Sequence, residues 1–203
     1  LRSLVELGEI SWVLSEPDSG VYNAMNKGAM AASGQFVLYL NSDDYLSPDA
    51  LSTLYEKAMA TGADYVFGNA VKVNSAGRRV GSHVGNMDKV FYGTPYCHQA
   101  LLCKRRCFKD VYFEESFRIT MWSYALRLYE RGYRHAYVNY PVAYFRVGGL
   151  STDPKHSERF KREQETIKRE QIVPRLSISI EEYEFLNCSW RRWPTNDSCR
   201  SIG

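Results

Sequence analysis

Hydrophobic and polar positions along the chain alternate between two periods. Residues 9–14 (EISWVL) alternate apolar with polar positions and are rich in strand formers, the pattern of a β-strand. The turn cluster 15–20 ends it. Residues 21–33 carry Tyr22, Met25, Ala29 and Ala32 at helical spacing, with Gly34 as the expected C-cap. Residues 35–40 (QFVLYL) form a nearly continuous apolar run, which reads as a strand buried on both faces of a parallel sheet. After Asn41-Ser42-Asp43-Asp44, Ser47 and Pro48 have the residue types of an N-cap and a first helical position. Leu51, Leu54, Tyr55, Ala58 and Met59 then mark an apolar stripe that runs to Gly62. Residues 64–68 are the next strand. This strand-helix alternation predicts an α/β domain built on a largely parallel sheet.

Further along, residues 70–84 read as a hairpin turning at Asn74-Ser75-Ala76-Gly77. Strands are expected over 100–103, 134–138 and 142–146, and a helix through Trp122, Ala125, Leu126 and Tyr129, closed by Gly132. Residues 155–171 are highly charged, with Phe160 and Ile167 as their apolar positions, and read as a solvated surface helix. Its basic residues also fit peripheral contact with a membrane surface. A short element is expected over 177–185 and an irregular tail over 187–203. The N-x-S triplets at Asn187 and Asn196 read as chance, and no internal repeat is visible.

Length and composition narrow the class. The 203 residues, 44% hydrophobic and 24% charged, suit one domain with an appendage, not a disordered chain. A net charge of +3 lacks the strongly basic character of a nucleic-acid binder, so no nucleic-acid partner is expected. No apolar run approaches the ~18 residues of a membrane span. Arg2, Glu6 and Glu9 at the start do not fit a signal peptide. Five cysteines (Cys97, Cys103, Cys107, Cys188 and Cys199) at irregular spacing predict reduced thiols, not a disulfide framework or a zinc site.

Chemistry concentrates at two places. Asp43 and Asp44 follow a predicted strand, where ligand sites of open α/β sheets lie. Paired loop carboxylates suit a hard divalent cation shared with phosphates; an Asx-turn at a helix entry is the structural alternative. The second place is residues 15–28 (SEPDSGVYNAMNKG), where Asp18 sits in a turn feeding a helix that carries Asn26 and Lys27. A helix start of this kind attracts anions, although a capped small-residue helix explains the segment without a ligand.

Together these segments resemble glycosyltransferase family 2. Further matches follow in the family's order: Pro95-Tyr96-Cys97-His98-Gln99-Ala100, Phe113-Glu114-Glu115-Ser116-Phe117 and Arg146-Val147-Gly148-Gly149-Leu150-Ser151. The resemblance implies a glycosyltransferase-A-like, Rossmann-like fold over residues 1–152, followed by a C-terminal charged helix and tail over 153–203. It implies a nucleotide-diphospho-sugar donor, a glycan or lipid-linked acceptor, and Mn²⁺ or Mg²⁺. Asp44 would bind the metal, and Asp43 the nucleotide or the metal. Asp18, Asn26 and Lys27 would lie near the donor, and His98 and Gln99 would flank the sugar and acceptor cleft. The setting implied is an inverting enzyme of bacterial surface-polysaccharide assembly, cytoplasmic, at the inner face of the membrane.

Two departures qualify the resemblance. The family places its general base in an acidic segment opening the helix after the Phe113–Phe117 motif. Here residues 119–127 (ITMWSYALR) carry no carboxylate, and the catalytic base is unassigned. The family also begins with strands absent before Leu1, which implies a fragment or a decayed gene product. A nucleotide-sugar-binding remnant without turnover is therefore a competing expectation, and a metal-dependent phosphohydrolase a weaker one.

Overall fold

The computed structural model describes residues 2–149 and 151–192. A mixed sheet has strand order β1-β5-β3-β6-β2, with β4 paired to β3. The strands are β1 (Phe36–Leu38), β2 (Tyr45–Leu46), β3 (Tyr65–Val73), β4 (Arg79–His83), β5 (Leu101–Lys104) and β6 (His135–Arg146). The α/β class holds. The expectation of a largely parallel sheet is corrected: β3 and β6 pair in parallel, and the other pairings among the described residues are antiparallel. An apolar run reports burial but not the direction of its neighbour, and β5 enters between β1 and β3 in the opposite sense. β1, β3 and β6 nonetheless point the same way, toward one edge of the sheet.

Helices cover both faces. On one face α3 (Ala50–Thr61) lays Ala50, Leu54 and Ala58 against Val66, Ala70, Ala136 and Val142. On the other, α2 (Val21–Ala31) and α4 (Trp122–Glu130) close over Tyr65, Phe67, Leu101 and Cys103. Tyr65 and Phe67 face this side while Val66 faces α3, as the two-residue period of a strand requires. The hairpin is as expected: Asn74 Oδ1 accepts from the N–H groups of Ala76 and Arg78, and Gly77 takes the left-handed conformation, φ 74°.

Several local expectations are corrected. Residues 9–14 form no strand, and Trp12, Val13 and Leu14 are exposed; among the described residues nothing pairs with them, and a lone strand leaves its backbone groups unmet. The cap of α3 is Asp49, because Ser47 is drawn inward: its hydroxyl donates to the Pro141 carbonyl and its N–H to that of Val142 at 2.9 Å. Leu51, Tyr55 and Met59 of the predicted stripe face outward.

The charged C-terminal helix is also more than a solvated face. Here α5 (Ser157–Thr166) runs into a π-helical stretch, Ile167–Ile172, and then α6 (Val173–Leu176). The wider π turn brings Ile167 and Ile172, five residues apart, into the cluster around Trp122. The last helix, α7 (Ile180–Arg192), extends past the predicted short element into part of the expected tail. It starts with a capping box in which Ser179 and Glu182 exchange hydrogen bonds of 2.7 and 3.1 Å. Asn187 is buried within it; Asn196, Cys199 and the rest of 193–203 lie outside the described residues. Cys97, Cys103, Cys107 and Cys188 are free thiols. Among the described residues no helix is long and apolar enough to cross a membrane.

Candidate functional site

An open cleft of about 100 Å³ lies beyond the carboxyl ends of β1 and β6. Asn41, Asp43 and Asp44 line it from the loop after β1, and His98 and Gln99 from the turn entering β5. Val21, Tyr22 and Met25 come from α2, Arg118 and Ile119 from the loop before α4, and Phe145, Arg146, Gly149 and Ser151 from the end of β6 and beyond. This is the crevice outside the carboxyl ends of strands where α/β sheets bind ligands.

The two aspartates differ. Asp44 accepts three hydrogen bonds: from Asn41 Nδ2 at 3.0 Å, from Gln99 Nε2 at 2.8 Å and from the Arg146 N–H at 3.0 Å. It ties the β1 loop to the β5 turn and the end of β6, and three of its roughly four acceptor positions are used. Asp43 is exposed in the cleft, with no hydrogen bond or ion pair to any described residue. Gln99 is held in turn by Cys97, whose thiol donates to Gln99 Oε1 at 2.6 Å. Burial pushes that thiol up to about 12, so it stays protonated near neutrality. His98 is pushed down to about 4 by burial, with the Asp44 charge opposing, and its ring is neutral at pH 7. The His98 Nε2 lies 3.4 Å from Asn41 Nδ2.

Four of the residues singled out from sequence thus meet in the cleft: Asp43, Asp44, His98 and Gln99. The other three are employed elsewhere. Asp18 accepts from the Gly20 N–H at 2.8 Å and shapes the turn before α2. Asn26 is buried, donating to the Phe113 carbonyl and accepting from the Phe113 N–H, both at 2.8 Å. Lys27 pairs with Glu16 at 2.7 Å and donates to the Pro17 carbonyl. Glu115 accepts from Ser19, Asn23 and Asn26, and the Asn23 amide leads in holding it below the usual carboxylate range. Glu114 pairs with Arg127 at 3.4 Å. Tyr124 is buried against Phe113, its phenol raised well above the ordinary value by burial. None of Glu114, Glu115 and Tyr124 lines the cleft. Arg118 was not singled out from sequence, although it follows the Phe113–Phe117 motif directly; Arg146 opens the Arg146–Ser151 motif, which carried no assigned role.

The donor set fits a divalent cation of the Mg²⁺ or Mn²⁺ type. Such ions need one or two protein carboxylates and take their remaining oxygens from water and substrate phosphates. Asp43 supplies one free carboxylate. Among the described residues no group of three or more His, Cys, Asp or Glu side chains forms a closed protein cage.

Known proteins resemble this chain in sequence and in fold. A glycosyltransferase named for PGL/p-HBAD biosynthesis, from Mycobacterium bovis (strain BCG / Pasteur 1173P2), is 28% identical over 199 residues, covering 93% of this chain and 70% of its own. The protein of that name from Mycobacterium tuberculosis (strain ATCC 25618 / H37Rv) gives the same values. Among solved structures, S. aureus TarS aligns over 89% of this chain and 38% of its own, with a TM-score of 0.51 and 17% identity. S. aureus TarS 1-349 in complex with UDP-GlcNAc aligns over 90% and 64%, with a TM-score of 0.50 and 14% identity. The chain therefore spans less than two thirds of these TarS structures, and the likeness concerns fold. Residues 6–133 match the description Glycosyl transferase family 2, and with the cleft at the strand ends this shows that the chain belongs to glycosyltransferase family 2.

Proposed function

We propose that this chain binds a nucleotide-diphospho-sugar in the cleft and transfers the sugar, with inversion, to a glycan or lipid-linked acceptor in bacterial surface-polysaccharide assembly. The observation that carries the reading is the free Asp43 carboxylate at the end of β1, beside an Asp44 already committed to three donors. Asp43, expected with Asp44 to serve the metal, is the residue left free to hold Mg²⁺ or Mn²⁺. The ion supplies Lewis-acid neutralisation of the charge that develops on the departing diphosphate. Asp44 keeps the three cleft-forming segments in register. His98, neutral and half-buried, offers a ring nitrogen to a sugar or acceptor hydroxyl. TarS in complex with UDP-GlcNAc supports a donor of this class.

The test is sugar transfer and donor hydrolysis with UDP-, GDP- and dTDP-sugars in the presence of Mn²⁺. Asp43→Asn is expected to abolish metal-dependent turnover, by 100-fold or more on the order of a lost electrostatic catalytic contact, with an unchanged melting temperature. Asp44→Asn is expected to lower stability by about 0.5–1.5 kcal/mol, since it turns an amide toward donors that Asp44 now satisfies. Equal turnover in wild type and Asp43→Asn would refute the assignment.

A specific observation also supports a second reading, donor binding without turnover. Residues 119–127 carry no carboxylate, and Glu114 and Glu115 are engaged away from the cleft. Donor binding without any transfer or hydrolysis would favour it.

A further inference from the structure

Glu163 belongs to α5, beyond the residues that match the family. Its side chain is buried, and a carboxylate leaves water only where other groups replace the hydration. The replacement is specific. Three consecutive backbone N–H groups converge on it: Arg118 donates to Oε1 at 2.8 Å, and Ile119 and Thr120 to Oε2 at 2.9 and 3.1 Å. Arg159 Nε, 3.6 Å from Oε1, balances the charge. Surface loops ordinarily leave such N–H groups to water. Here they are clamped by charge-assisted hydrogen bonds, about twice as strong as neutral ones.

The clamped segment carries Arg118 and Ile119 into the cleft that Asp43 lines. The Arg118 side chain makes no hydrogen bond or ion pair with any described residue, so its guanidinium donors remain available. Its guanidinium lies where a side chain at position 20 would otherwise stand. A Cβ built on Gly20 would overlap it, and Gly20 has φ 137°, a conformation that L side chains rarely adopt. A half-buried, unpaired guanidinium facing a cleft presents a rigid fork of donors that matches phosphate oxygens.

We propose that Arg118 contacts the diphosphate of the donor and that Glu163 is the positioning residue that fixes the loop carrying it. This rests on the donor-site reading above. It gives the C-terminal helix a part in the site, through a carboxylate 45 residues along the chain from the arginine it aligns.

Calorimetric titration of the 203-residue chain with UDP, GDP and dTDP, each against its monophosphate at fixed Mg²⁺, tests it. Wild type is expected to prefer one diphosphate over its monophosphate. Arg118→Ala should reduce that preference about 10- to 100-fold, the factor for one hydrogen bond to a charged group. Arg118→Lys should restore part of it. Glu163→Gln, which sets an NH₂ group against N–H donors, should lower the preference in the same direction. Melting temperatures are recorded for every variant. An unchanged preference in Glu163→Gln, whatever its melting temperature, would overturn the positioning role. An unchanged preference in Arg118→Ala would overturn the proposal and leave the donor reading standing. Failure of wild type to bind any diphosphate would overturn the donor reading and this proposal together.

Discussion

Adjacent carboxylates at 43 and 44 have different surroundings because the backbone turns between them, with the Asp44 N–H donating to the Asn41 carbonyl at 3.2 Å. One side chain is directed inward to three donors and the other into the cleft. A sequence motif marks both positions and says nothing about which is free. The same limit applies to Asn26, expected near the donor from its place in the Ser15–Gly28 segment that resembles the family. Its partner, Phe113, is 87 positions away and invisible to local pattern. His98 carries a pH signature. Burial holds the folded ring near 4, against an ordinary value of about 6.5 in the unfolded chain. As pH falls below about 6.5 the unfolded chain takes a proton that the folded chain refuses. Stability is therefore complete above that value and declines toward pH 4, by at most about 1.4 kcal/mol per pH unit. Urea unfolding between pH 4 and 7 should show this slope in wild type and a flatter one in His98→Gln; parallel slopes would contradict it.

Helix α3 shows how far element patterns carry. Its period and its left-handed Gly62 end are legible, while the face it buries is only partly so. Leu54 and Ala58 turn inward and Leu51, Tyr55 and Met59 outward, because the sheet is met by the narrow side bearing Ala50, Leu54 and Ala58, whose two alanines let helix and strands approach. Hydropathy favours the larger residues, and close approach favours the smaller ones. Leu54→Ala is expected to cost about 2–5 kcal/mol, the range for a large-to-small change in a packed core. Leu51→Ala should stay within about 0.5 kcal/mol. Denaturant midpoints for the two variants measure the difference, and similar losses would reverse the assignment of faces. The hairpin was more legible, since it is closed by hydrogen bonds between residues at most four apart.

Across the molecule, the sheet is fastened at the end away from the cleft by Asp64, just before β3. Its carboxylate accepts from Arg106, from Lys104 Nζ at 3.2 Å and from the Arg134 N–H at 3.1 Å, joining the end of β5 to the start of β6. Burial pushes Asp64 up, but the hydrogen bonds from Arg106, Arg134 and Lys104 outweigh it and hold the carboxyl below its usual range. A depressed carboxylate contributes stability above its unfolded value of about 3.9, lost as pH falls through the folded value. Thermal melts below pH 4 should therefore fall more steeply for wild type than for Asp64→Asn, and identical acid limbs would exclude the clasp. By itself the sequence determined most element types from residue 21 to 146, the acidic pair beyond a strand and the family, because periodicity, turn chemistry and motifs are short-range properties. Tertiary structure alone decided the direction of β5 among its neighbours, which aspartate stays free, and the grip of Glu163 on residues 118–120. Each of these depends on groups far apart in the chain that meet only when the sheet and its two helical layers close.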